Sequence, residues 1–189
     1  MTHREKLLEI SRGEIYRFSE EPFTLASGKK SNHYFNCKKI TLIPERLRLL
    51  ATSIRDEILP GNQIAIPQAA GGLTLGADPI AVALSLAFLE NGRTVFPLIV
   101  RKEAKGHGTG QKIEGEWQNI KEVLVLDDVI TTGGSTQKAV EAFRAAGIAV
   151  HTAVCIIDRE EGGREALEKD GVRLLSLFKK TDFLSASGK

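Results

Sequence analysis

Val123-Leu124-Val125-Leu126-Asp127-Asp128-Val129-Ile130-Thr131-Thr132-Gly133-Gly134-Ser135-Thr136 joins an apolar stretch, an acidic pair and a loop of hydroxyls and glycines in one segment. Residues 123–126 are apolar without interruption, the pattern of a strand buried on both faces. Residues 137–146 behind them have helical spacing. The loop between therefore lies at a helix N-terminus, where free backbone N–H groups and the positive end of the helix dipole favour an anion. The hydroxyls of Thr131, Thr132, Ser135 and Thr136 add donors, so a phosphate dianion fits. Asp127 and Asp128, at the strand end, can accept hydrogen bonds from vicinal hydroxyls. The order predicts a sugar phosphate, with its phosphate in the loop and its ribose hydroxyls on the acids. The plain alternative is a strand, turn and helix with an acidic turn.

Two widespread phosphate motifs are missing. A P-loop needs lysine after its last glycine, where Ser135 stands, and no Gly-x-Gly-x-x-Gly follows a strand. Nucleoside triphosphate and dinucleotide readings weaken accordingly.

Outward from this segment, residues 64–66, 95–100, 150–157 and 172–178 read as further short strands, several separated by helical stretches, which predicts a parallel sheet flanked by helices. Leu7, Leu8 and Ile10 mark one amphipathic helix. Leu47, Leu49, Leu50, Ile54 and Ile58 mark another, opened by Pro44. Asp78-Pro79 reads as an N-cap and first helical position, with that helix ending at Asn91-Gly92. Ligands of such a sheet gather at its carboxyl edge.

The 189 residues, 42% hydrophobic and 26% charged, suit a single domain with one sizeable core. A formal charge of +2 gives no general attraction to nucleic acid. Cys37 and Cys155 are too few for a disulfide framework or zinc site and read as small buried hydrophobes in a reducing compartment. The first nine residues lack a signal core and no run approaches transmembrane length, so a cytoplasmic protein is expected.

A second informative segment follows the run 95–100: Arg101-Lys102-Glu103-Ala104-Lys105-Gly106-His107-Gly108-Thr109-Gly110. Three glycines in five residues disfavour regular structure, so the cations ride on a surface loop suited to a lid over a polyphosphate. His107 titrates near neutral pH and can donate to a leaving phosphate oxygen. Taken alone, the stretch reads first as an ordinary charged surface loop.

With both segments in view, the chain resembles the type I phosphoribosyltransferases, and within them the orotate phosphoribosyltransferase family. The likeness rests on the Asp-Asp segment, on the loop Arg101 to Gly110, and on Phe23 to Phe35 with its Ser-Gly-x-x-Ser (Ser27, Gly28, Ser31) followed by aromatics. It implies a parallel core sheet in a single domain, 1–189, with a small hood from about residues 1–40 and late residues around 158–180. It also implies transfer of 5-phosphoribosyl from phosphoribosyl pyrophosphate (PRPP) to N1 of orotate, in UMP synthesis. Alternatives are a transferase for another base and a PRPP-binding regulator without catalysis.

Carried over residue by residue, the resemblance assigns PRPP to Arg101, Lys102, Lys105, His107, Asp127, Asp128, Val129, Ile130, Thr131, Thr132, Gly133, Gly134 and Ser135. Lys102, Lys105, His107 and Asp128 serve the chemistry. Thr131 and Arg159 bind orotate, Arg159 gripping its carboxylate. A surface salt bridge within residues 158–161 is the simpler role for that arginine. The resemblance further implies Mg2+ carried by PRPP with no direct protein ligand, and a homodimer whose cationic loop reaches the neighbouring site; neither nucleic acid nor membrane is expected as a partner. The chain departs from many members at two lysines, having Ala26 before Ser-Gly and Gly76 before Asp78-Pro79. Residues 71–76 would then hold pyrophosphate through backbone N–H groups, with Lys29 or Lys30 supplying charge.

Overall fold

A computed structural model describes residues 1–24, 28, 30–103 and 112–184. Its helices are α1 (His3–Ile15), α2 (Lys38–Thr41), α3 (Pro44–Ser53), α4 (Leu59–Gly61), α5 (Asp78–Glu90), α6 (Gly134–Ala145), α7 (Gly163–Lys169) and α8 (Thr181–Leu184). A π-helical stretch, Ile54–Ile58, joins α3 to α4. The strands are β1 (Tyr16–Thr24), β2 (Lys30–Phe35), β3 (Ala69–Leu73), β4 (Phe96–Val100), β5 (Ile113–Glu114), β6 (Val123–Ile130), β7 (Thr152–Asp158) and β8 (Arg173–Lys179).

Strands β3, β4, β6, β7 and β8 pair parallel within a six-stranded sheet of order β5-β4-β3-β6-β7-β8, and only β5 runs antiparallel, on β4. The strand period of two sends alternate residues into two cores. Leu124, Leu126, Val154 and Ile156 meet Leu7 of α1, Leu50 of α3 and Leu84 of α5 on one face. Val123, Val125, Ala153 and Cys155 meet Phe143 of α6 and Leu167 of α7 on the other. The expected parallel sheet between helices is thus present. Both cysteines are buried and free, and burial pushes both thiols well above their ordinary range.

Two expectations on this sheet are corrected. The stretch 64–66 is not a strand, and the central strand is Ala69–Leu73. Small side chains select it: a Cβ at Gly71 would lie 2.0 Å from the Leu98 carbonyl oxygen, and one at Gly72 2.1 Å from that of Leu126. Backbones approach here more closely than any side chain allows. The strand expected to stop at Leu126 continues to Ile130, because Val129 and Ile130 pair with Ile157 and Asp158 of β7.

Residues 16–35 form a separate antiparallel hairpin, β1 with β2, whose register shifts between Phe18 and Phe23. Tyr16, Phe35 and Phe183 of α8 cluster, with Phe35 and Phe183 edge to face. That cluster fixes the hairpin beside the carboxyl ends of β6 and β7. Residues 158–180 run through α7 and β8, and β8 is an edge strand of the main sheet.

Candidate active site

At the carboxyl end of the sheet, a cavity of about 710 Å3 is lined by residues 127–136 together with Thr24, Tyr34, Phe35, Lys138 and Arg159. The loop is set by Gly133, the residue before α6, in the left-handed conformation at φ +83°. Only glycine takes that geometry without strain. A Cβ on Gly133 would also lie 3.2 Å from the Gly163 carbonyl oxygen, and one on Gly163 2.4 Å from Ile130 Cγ2 and 3.1 Å from Gly133 N. The loop after β6 and the turn after β7 therefore touch backbone to backbone. Helix α6 begins three residues earlier than the expected 137, and no side chain caps it. Its first N–H groups, at Gly134, Ser135 and Thr136, are those a helix leaves unpaired, and they belong to cavity-lining residues.

The two acids have different surroundings. Asp127 is buried and uses both oxygens internally: Oδ1 accepts from Asp128 N–H at 2.9 Å and Oδ2 from the Thr136 hydroxyl at 2.7 Å. Thr136, expected among the phosphate hydroxyls, is thus committed to positioning an acid. Asp128 accepts from Val129 N–H through Oδ1 at 2.8 Å, and its Oδ2 has no protein donor among the described residues. Burial, and then the charge of Asp128, raises the Asp127 carboxyl to about 7. Burial also raises Asp128, opposed by the Val129 N–H and by the Lys38 charge. Neither acid has a cationic hydrogen-bond partner among the described residues.

Gly76 lies against this pair: its Cβ would sit 2.9 Å from Asp128 Oδ1 and 3.0 Å from Asp127 Oδ1. Of the segment expected to bind pyrophosphate by its backbone, Gly71, Gly72 and Leu73 are bound into the sheet. Thr74 N–H donates to Val100 and Ala77 N–H to Leu73. The N–H groups of Leu75 and Gly76 remain without a protein acceptor among the described residues. Asp78 is the first residue of α5 rather than its cap, and Oδ2 accepts from the Thr74 hydroxyl at 2.6 Å.

Arg159 is neither on the surface nor free. Its side chain is 2% exposed, and Nε and Nη2 donate to Glu161 Oε1 at 3.1 and 2.9 Å. Nη2 also donates to Ser31 Oγ of the hairpin at 2.8 Å, and the guanidinium lies 5.7 Å from the Phe35 ring centre. The salt bridge considered within 158–161 is present, but its arginine is buried on the cavity wall while Glu161 stays partly exposed. Asp158, also buried, is held by Arg164 Nε and Nη2 at 3.1 and 2.9 Å. In the hairpin, Tyr16 OH and His33 Nδ1 are 2.8 Å apart. Burial, and then the charges of Lys180 and Arg159, lower the His33 pKa.

Arg101 pairs with Glu114 at 2.9 Å, both side chains 42% exposed. Arg101 and Lys102 line a neighbouring cavity of about 640 Å3 with Lys112 and Lys138. Lys138 borders both cavities. Lys105, His107 and the loop glycines lie outside the described residues, as do Ala26, Ser27 and Lys29; Lys30 is exposed in β2. Tyr34, Phe35, Thr24 and Lys138 were not singled out as site residues from sequence. For Tyr34-Phe35 the available signal was an aromatic pair closing a polar run. For Lys138 it was a cation one turn into the helix behind the phosphate loop.

A family model described as the phosphoribosyl transferase domain matches residues 38–181. The chain is 58% identical over 182 residues to the orotate phosphoribosyltransferase of Leptospira biflexa, covering 96% of this chain and 98% of that one. It is 44% identical over 185 residues to the enzyme of the same name from Aquifex aeolicus, covering 97% and 99%. Its structure is similar to that of Mycobacterium tuberculosis orotate phosphoribosyltransferase in complex with PRPP, with a TM-score of 0.74, 29% identity, and 96% and 91% of the two chains covered.

Proposed function

Because the chain belongs to the orotate phosphoribosyltransferase family, we propose that it transfers 5-phosphoribosyl from PRPP to N1 of orotate, giving orotidine 5-monophosphate and pyrophosphate for UMP synthesis. The observation that carries this reading is a single cavity holding both an uncapped helix N-terminus with an acid pair and a buried arginine beside aromatic rings. One end suits a ribose phosphate, the other a planar anionic base.

No protein nucleophile is needed. As pyrophosphate departs, positive charge grows on the ribose ring, so catalysis comes from positioning and from stabilising the departing anion. The phosphate is held by residues 131–135. Asp128, with an oxygen free of protein donors, takes the ribose hydroxyls, and Asp127 fixes Asp128 and α6. Lys102, Lys105 and His107 serve the pyrophosphate, while Thr131 and Arg159 hold orotate. Among the described residues no three His, Cys, Asp or Glu side chains converge on a metal position. Magnesium typically takes one or two carboxylates plus substrate phosphate oxygens, so PRPP oxygens beside this acid pair form a fitting donor set. When bound, it neutralises charge on the leaving group.

We further assign a homodimer in the cytoplasm, with residues 101–110 completing the neighbouring site and the hood formed by the hairpin of residues 16–35. In support, Val82, Leu86 and Leu89 form an exposed apolar stripe along α5. No helix among the described residues is long and apolar enough to cross a membrane.

Incubating the protein with PRPP and, in turn, orotate, uracil, adenine and hypoxanthine tests the reaction. Turnover with orotate is expected; turnover only with a purine overturns the assignment. Loop sharing is tested by mixing Lys105→Ala and Asp128→Asn proteins after subunit exchange. Recovered activity is expected, and none despite proven exchange rejects sharing alone.

A further inference from the structure

Arg159 has five N–H donors, and three are already in use: Nε on Glu161, and both of Nη2, on Glu161 and Ser31. The pair on Nη1 has no protein acceptor among the described residues. Arg159 lines the cavity, whereas Glu161 does not. A single oxygen, Glu161 Oε1, therefore takes the Nε and Nη2 donors, and Lys180 Nζ lies 3.9 Å from that same oxygen. Glu161 itself is held in a turn where Glu160 takes a positive φ of 57° and donates its N–H to Asp158 Oδ1 at 2.9 Å. The Arg159 backbone N–H is tied to the Ile130 carbonyl at 2.9 Å. The guanidinium is thus fixed at one end by its main chain and at the other by a carboxylate outside the cavity.

We propose that Glu161 is a positioning residue for base recognition: it fixes the guanidinium plane from outside so that Arg159 presents Nη1 to the orotate carboxylate. The role rests on the reading of Arg159 as the grip on that carboxylate. Without Glu161 the buried guanidinium loses its counter-charge and two of its hydrogen bonds, and can rotate off the Phe35 ring. Lys180 shares the Glu161 charge, leaving Arg159 with net positive character toward the ligand.

Three variants, Glu161→Ala, Glu161→Gln and Arg159→Ala, separate this proposal from the reading beneath it. Glu161→Ala is expected to raise the orotate KM about tenfold while the PRPP KM moves by less than about twofold. Glu161→Gln restores most of the loss, because its amide oxygen still accepts from Nε and Nη2. A fall in orotate KM in both Glu161 variants would mean that Glu161 competes with the substrate for Arg159, and overturns the proposal. The positioning role is equally overturned if Arg159→Ala raises the orotate KM and Glu161→Ala does not. An unchanged orotate KM in Arg159→Ala sinks the carboxylate reading itself. Equal increases in both KM values would mark a general structural role and also overturn it.

Discussion

Two acid-bearing strand ends, each with the turn that follows it, lie side by side at the carboxyl ends of β6 and β7 and are built with opposite electrostatics. Asp127 and Asp128 receive N–H and hydroxyl donors, hydrogen-bond to each other through their carboxyls and meet no guanidinium among the described residues, and burial raises both carboxyls. Asp158 and Glu161, one strand over, are each met by a guanidinium, from Arg164 and Arg159. The first turn is left short of positive charge, so a ligand bringing hydroxyls or a metal ion relieves it. The second is neutralised internally and offers an arginine instead. On the proposed reading, acids on neighbouring strands serve opposite ends of one substrate pair, and the difference lies in what surrounds each carboxylate.

The sharpest break of this contrast is removal of both charges from the first turn. Asp127→Asn with Asp128→Asn should lower kcat/KM for PRPP by about 10^3, roughly 4 kcal/mol of transition-state stabilisation, with the circular-dichroism spectrum unchanged. Unaltered steady-state kinetics in the folded protein would remove the acids from the mechanism. On the second turn, Arg159→Ala should raise the orotate KM by about 10 to 100-fold, the worth of a charge-assisted contact, with a much smaller change for PRPP. Similar shifts in both constants would deny the turn its specificity for the base.

Arg164→Ala tests the claim that Asp158 of the second turn is structural. It strands the buried Asp158 and should cost about 1 to 3 kcal/mol, less than a fully buried pair because Arg164 is partly exposed. A melting temperature within error of the parent would contradict this. The last test concerns pH. Asp127, raised to about 7, holds a proton in the folded state that the unfolded chain has already released, so the folded state binds more protons between about pH 4 and 7. Stability conferred by that proton is complete at the acid end and is lost as pH rises through 7. Asp127→Asn should flatten this slope and melt several degrees higher at pH 8; an unchanged slope would count against the burial argument.

Much of this could be read from residues 123–136, because an unbroken apolar run, two acids and a glycine loop have few other uses. Helix α5 was legible for similar reasons, its bounds Asp78–Glu90 marked by Asp-Pro and Asn-Gly. Strand β3 was not. Ile64 to Ile66 carries the strand propensity, but the central position demands Ala-Ala-Gly-Gly, whose advantage is the close approach of Leu98 and Leu126. Propensity lost to packing there. The β1–β2 hairpin hid because Arg17, Glu20, Glu21 and Pro22 break the alternation, and its register shifts at that place. Arg159 was identified as a residue but not as a buried one, since its partners Ser31 and Phe35 stand more than a hundred positions away and no local pattern announces them.

The interlocked glycines, Gly133 and Gly163, bear on how such a chain can evolve. Because each occupies space the other would need for a side chain, the loop after β6 and the turn after β7 share one allowance of volume. A substitution at Gly163 would press first on Ile130, Thr131 and Gly133, which belong to the end of β6 and the loop after it. Drift toward a new base through the β7 turn is therefore epistatic with the phosphate loop, and lineages that alter base preference should do so at Tyr34, Phe35 or Arg159 and leave this glycine pair unchanged.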